Sequence, residues 1–385
     1  MKQSLKTILG VALLTIVPTL LVWLPFALRL DQFWGIPLSK NGMATIVANY
    51  DGPLYLIVAK TFYDPALIKQ FQFNLPVEYY SAHLPVFPLF IRIFSTVFGT
   101  LYSMLAVTVG SAFLAIWFFR KFISQYVSDM NAWYLTAVFA IFPARWLIVR
   151  SVGSPEPLFI ASIIAAIYFF QKGKYLTSAL WTALATTTKT PGILILVAVG
   201  ASTLVPEINN FVGIHFTNFT KFFKLKKLLP FLIVPLAIFG VFYIYKLRLN
   251  DFWAYFHSGD NIHLFFPPFQ IFNYAAAWVG TFWQEEIIFI YLLGGFAVIK
   301  LIKEKTGIVA WFSLIFFILT LFIAHRDLVR YSLPLVPFLI FAYRDQLVKN
   351  EFKIVFMLLL IPIYLFCLAF ISQNVMPIAD WSPFL

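Results

Sequence analysis

Long apolar runs recur from one end of this chain to the other, separated by short links that carry most of its charge. Inside a bilayer, every backbone N–H and C=O must find its partner within the protein, which leaves helices or a closed barrel. Unbroken apolar runs, without strict alternation, select helices. Over 385 residues the chain is 61% hydrophobic and only 11% charged. An ordinary soluble domain carries about 25% charged residues. The sequence therefore predicts an all-α polytopic membrane protein, a single domain over 1–385. About eleven spans are expected, near 7–28, 101–119, 132–148, 155–171, 175–188, 191–206, 228–247, 285–301, 307–324, 329–343 and 353–371. Several are shorter than the roughly 20 residues of a straight span, and the two flanking Lys189 are short enough to form a re-entrant pair.

The apolar stretch Thr7–Leu28 follows Lys2 and Lys6. It exceeds the roughly 7–15 residues of a signal-peptide core and lacks a small-residue cleavage site, so it reads as a retained first helix. With an inside N-terminus, the cytoplasmic segments carry 16 cations, Lys221 and Lys224 among them, against five acids, one of which is Glu207. The opposite face carries 12 cations and 11 acids. The excess inside obeys the positive-inside rule and accounts for the net charge of +12 without any nucleic-acid partner. The mixture of acids and bases outside reads as a working surface. The sole cysteine, Cys367, excludes an intramolecular disulfide.

Two outer loops are long enough to build a site, 29–100 and 249–284. In the first, Asp51-Gly52-Pro53 opens a helical stretch: Pro53 suits a first turn, and Asp51 stands at an N-cap position. Asp51, Tyr55 and Ala59 share one face of that helix. Pro85–Phe98 suits an interfacial helix. The second loop is aromatic and contains His257, Asp260 and His263. The C-terminal Gln373–Leu385 reads as a short outer tail.

Ionisable groups at a membrane are costly, and each is a functional candidate. The outer set comprises Asp51, Glu78, His83, Arg145, Arg150, Glu156, Lys189, Arg326, Asp327 and Arg330. Asp51 supports two readings, a helix cap or a general base. The histidines have no metal-ligand spacing, and neither a phosphate-binding glycine loop nor a dinucleotide fingerprint occurs. No metal and no nucleotide cofactor is therefore expected.

Five segments carry a family resemblance. Asn49-Tyr50-Asp51-Gly52-Pro53-Leu54-Tyr55 and the residues to Tyr63 resemble the first-loop motif of the GT-C glycosyltransferases. The likeness is to the branch of the GPI mannosyltransferase that adds the second mannose, with its bacterial relatives. Ala82–Phe90, Ser154–Phe159, Ala185–Gly192 and Arg330–Phe338 resemble later motifs of that family, in the same order. Tyr50 stands where the family has Trp, Leu54 where it often has His, and Lys189 where it has Arg.

The resemblance implies a GT-C-like helix arrangement and a membrane transferase of hexosyl, in particular mannosyl, groups. It would move a sugar with inversion from a polyprenyl-phosphate carrier to a glycan, lipid or protein acceptor on the outer face. It implies that Asp51 is the base. Tyr55, Glu78, His83 and Glu156 are expected to bind substrate, and Lys189, Arg326 and Arg330 the lipid phosphate. Glu156 either orients an acceptor hydroxyl or pairs with Arg150. The expected setting is a bacterial inner membrane, with the endoplasmic reticulum as the alternative, an outer C-terminus and an accessory membrane subunit left open. The competing class is a secondary transporter or lipid flippase, which would place charges at the midplane of repeated halves.

Overall fold

The computed structural model describes residues 2–71, 73–205, 226–259, 263–273, 275 and 283–385. Lys221, Lys224, Glu207 and Asp260 lie outside the described residues. Of the described residues, 74% are helical. The sole sheet among the described residues is a hairpin of β1 (Gln32–Phe33) and β2 (Ile36–Pro37). Among the described residues, four helical segments are long and apolar enough to cross a membrane, Leu5–Ala27, Thr100–Ile123, Lys226–Leu249 and Asn350–Gln373. Their exposed Leu, Ile and Phe side chains have no place in water, and the architecture is that of an all-α membrane protein.

Helix α1 (Lys2–Ala27) leads into the long link over 29–100, which is itself helical: α2 (Met43–Val47), α3 (Gly52–Thr61), α4 (Pro65–Ile68) and α5 (Val86–Phe98). In α5, Phe87, Pro88 and Ile91 pack inward while Ile93, Phe94, Val97 and Phe98 are exposed. The long α6 (Thr100–Ile123) follows, and then α7 (Asp129–Ile141), which Ser128 caps by accepting from the Asn131 N–H. The apolar run over 132–148 predicts one helix, but the chain breaks at Pro143 and restarts as α8 (Ala144–Val149). Proline has no N–H to give the preceding turn, and its ring clashes with it.

Helices α9 (Glu156–Gln171) and α10 (Tyr175–Thr188) match the expected spans closely. Gly173, at a positive φ of 69°, makes the turn between them. Every residue of α9 from Glu156 to Ile167 is buried, which makes it the central helix. It packs between α6 and α10 through small residues, Ser111, Ala112 and Ala115 on α6, Ala161, Ala165 and Ala166 on α9, and Ser178 and Ala179 on α10. Small side chains let helix backbones approach, and Ser178 donates across the interface to the Ala166 carbonyl at 2.7 Å.

The chain continues through α11 (Ile193–Leu204), α12 (Ile233–Leu249), α13 (Ala254–His257), α14 (Gln284–Lys303) and α15 (Ile308–Thr320). The expected helix over 329–343 is again broken, into α16 (Leu328–Tyr331), a 3-10 turn at Leu333–Leu335 and α17 (Val336–Ala342). Pro334 and Pro337 remove two backbone donors there. After α18 (Arg344–Leu347), α19 (Asn350–Gln373) returns along α8.

Candidate active site

The approach to Asp51 is built by a tight backbone. Tyr50 sits at a φ of 49°, a left-handed conformation that costs a non-glycine residue energy and persists only where the surroundings impose it. The surroundings do so from the far end of the chain. Asn49 donates to the Ile371 carbonyl at 2.8 Å and accepts from the Asn374 side chain at 3.2 Å. The Met376 N–H meets the Ala48 carbonyl at 2.8 Å. Gly52 follows because a Cβ there would lie 2.5 Å from the Val47 carbonyl oxygen. Asp51 is thus held at the start of α3, yet its side chain caps nothing. Of the two readings of this residue, the cap is the one that its geometry does not support. The carboxylate, 40% exposed, faces a cavity of about 930 Å³.

Four further links of the fold converge on the same cavity. Lys189, extended between α10 and α11, enters from one side. Arg326, Asp327 and Arg330 enter from the α15–α16 link and α16, Arg145 from α8, and His83 from the end of the 3-10 turn at Val77–Ala82. Gly192 permits the Lys189 turn, since a Cβ there would collide with the backbone of Ala185 and Thr186.

Arg330 is the centre of the constellation. Its Nε donates to Glu156 Oε1 at 2.7 Å, one terminal nitrogen lies 3.4 Å from Asp51 Oδ2, and the other lies 3.7 Å from Asp327 Oδ2. The guanidinium also lies over the Tyr50 ring, 4.3 Å from its centroid. Lys189 Nζ shares Glu156 Oε1 at 2.6 Å, and Ser154 donates to Oε2. Arg145 donates to the Tyr50 hydroxyl at 2.8 Å and lies 3.5 Å from Asp327 Oδ1. Burial pushes the Asp327 carboxyl up from the ordinary carboxylate range, and Arg330 and Arg145 oppose that shift. Burial drives the His83 imidazole down to about 4, with the Asp51 charge opposing, so the ring is neutral at physiological pH. Its edge packs on Tyr55, centroids 4.8 Å apart.

Asp51, Tyr55, His83, Lys189, Arg326 and Arg330 therefore line one cavity. Two expected substrate contacts lie elsewhere. Glu78 is exposed and does not line the cavity. Glu156, only 4% exposed, sits beneath the lining and pairs with Lys189 and Arg330. Its other expected partner, Arg150, is fully buried and donates instead to the Thr15 carbonyl of α1 at 2.6 Å and to the Thr19 hydroxyl at 3.2 Å. Arg150 is thus a structural tie between α8 and α1.

Two features were not anticipated. His263 and His325 line the cavity with ring centroids 4.3 Å apart. Gln373–Met376, read as a tail, forms part of the wall. Arg145, one of the ionisable groups singled out in the sequence, contacts Tyr50 and Asp327 in the cavity through its guanidinium. The described residues contain no group of three or more His, Cys, Asp or Glu side chains placed to hold a metal ion. No protein-family model matches the chain, and no curated protein matches it.

Proposed function

We propose that the protein is a membrane glycosyltransferase that moves a sugar from a polyprenyl-phosphate carrier to an acceptor hydroxyl, with Asp51 as general base. The observation that carries this reading is the uncapped, half-open Asp51 carboxylate in a cavity of about 930 Å³ that is also lined by four cations, Lys189, Arg145, Arg326 and Arg330, and by one further acid, Asp327. A carboxylate to accept a proton and cations to receive a leaving phosphate are the two ends of a displacement at a sugar carbon. The motif resemblance points the same way.

The acceptor oxygen attacks the anomeric carbon while its proton passes to Asp51. The bond from that carbon to the carrier phosphate oxygen breaks, and its electron pair leaves with the phosphate. Attack opposite the leaving group inverts the centre. The activating phosphate arrives on the donor, so the step needs no nucleotide. Tyr55 and the neutral His83 supply a hydrogen-bonding wall beside Asp51. The same reading includes about eleven spans in a GT-C-like arrangement, a cytoplasmic N-terminus, an outward-facing cavity and a bacterial inner membrane.

The test is transfer by the purified, reconstituted protein from a panel of radiolabelled polyprenyl-phosphate sugars to lipid, glycan and peptide acceptors, with and without EDTA. Transfer from one donor that survives EDTA supports the proposal. No transfer, with movement of a labelled lipid between leaflets, would favour a flippase and overturn it.

A further inference from the structure

Each nitrogen of the Arg330 guanidinium is directed at a different carboxylate: Nε at Glu156, one terminal nitrogen at Asp51 and the other at Asp327. These carboxylates come from three distant parts of the chain. A planar group with five N–H donors stands between the three carboxylates and can bond in several directions at once. Lys189 and Arg145 complete the circuit by pairing with Glu156 and Asp327. Three cations thus face three acids, and the network is neutral as a whole. Arg326 stands outside it: the side chain is exposed, lines the cavity and makes no ion pair among the described residues.

We infer that Arg330 is the resident cation of the site, a positioning residue that aims Asp51, and that Arg326 is the group that meets the carrier phosphate. This division rests on the glycosyltransferase reading above. Arg330 is only 9% exposed and its charge is already shared by three acids, so a phosphate would have to compete with them for it. Arg326 has no such competitor among the described residues, and its guanidinium is free to pair with a phosphate oxygen.

The experiment compares binding of undecaprenyl phosphate with sugar transfer in the full-length, reconstituted protein. Loss of a charge-assisted contact weakens binding by about tenfold or more, so Arg326→Gln is expected to do so. Arg330→Lys keeps the charge but cannot reach three carboxylates. It is expected to bind the carrier within about threefold of wild type while turnover falls by about a hundredfold. Arg330→Ala is expected to regain part of its turnover with added guanidinium, which a purely structural role would not produce. Should Arg330→Ala fail to fold, Arg330→Lys decides alone. The inference is overturned if Arg330→Lys weakens carrier binding as much as Arg326→Gln, or if Arg326→Gln binds like wild type. If no donor is turned over by wild type, the glycosyltransferase reading fails, whereas the binding arms still decide the role of Arg326.

Discussion

Replacing Glu156 by Gln preserves shape and removes one charge. The carboxylate is 4% exposed and accepts from Lys189 at 2.6 Å and Arg330 at 2.7 Å, both at the same oxygen. Without it, two cations remain close together with no countercharge between them, and the new amide NH₂ takes the place of Oε2 beside the Ser154 hydroxyl. Removing one partner of a buried ion pair costs about 3–5 kcal/mol. Because the amide oxygen can still accept from both cations, the expected loss is about 3 kcal/mol, at the lower end of that range. Reversible unfolding in mixed detergent micelles measures it. The control is Asp31→Asn, whose partner Lys40 lies 3.8 Å away with the two side chains 77% and 83% exposed. Water screens such a pair, and its loss is expected to cost at most about 1 kcal/mol. Lys189→Met in the Glu156→Gln background removes a stranded cation and should recover about 1 kcal/mol relative to additivity. If Glu156→Gln is no less stable than Asp31→Asn, burial of this pair does not carry the energy assigned to it.

Other outcomes follow from the same geometry. The His83 imidazole titrates at about 4 when folded and near 6.5 when exposed, so the unfolded chain binds its proton more tightly. The stability held by the neutral ring is complete above pH 6.5 and falls as the pH drops towards 4; His83→Gln should flatten that part of a stability–pH curve, and an unchanged curve would discount the buried ring. Gly192→Ala places a Cβ against the backbone of Ala185 and Thr186 and should cost about 1–3 kcal/mol, seen as a lowered melting temperature; an unchanged melting temperature would show that the Lys189 turn adapts freely.

The helices were legible where apolar runs ended in charged or glycine links, as at 155–171 and 175–188. They were misread where proline interrupts an apolar run: hydropathy registers burial in lipid and not the loss of a backbone donor, so 132–148 and 329–343 each read as one helix. Asp51, Lys189 and Arg330 stood out because a charge in an apolar context is costly and therefore visible. Charge alone could not distinguish the roles of Arg150 and Arg145, separated by less than two helical turns, because one side chain turns to the carbonyls of α1 and the other to Tyr50 and Asp327. The His263–His325 pair and the wall at Gln373–Met376 were invisible for another reason. The histidines are distant in sequence, and the wall is held by backbone bonds and by Asn374, none of which marks itself by charge or period.

The most direct test of the account is sugar transfer by wild type and by Asp51→Asn, with unfolding measured on the same preparations. Because the Asp51 carboxylate caps no helix and its pairing with Arg330 is long, at 3.4 Å, the variant should fold. Loss of a general base slows transfer by about 10² to 10⁴-fold, and that loss with near-wild-type stability is the predicted result. Transfer by Asp51→Asn at the wild-type rate would contradict the central claim.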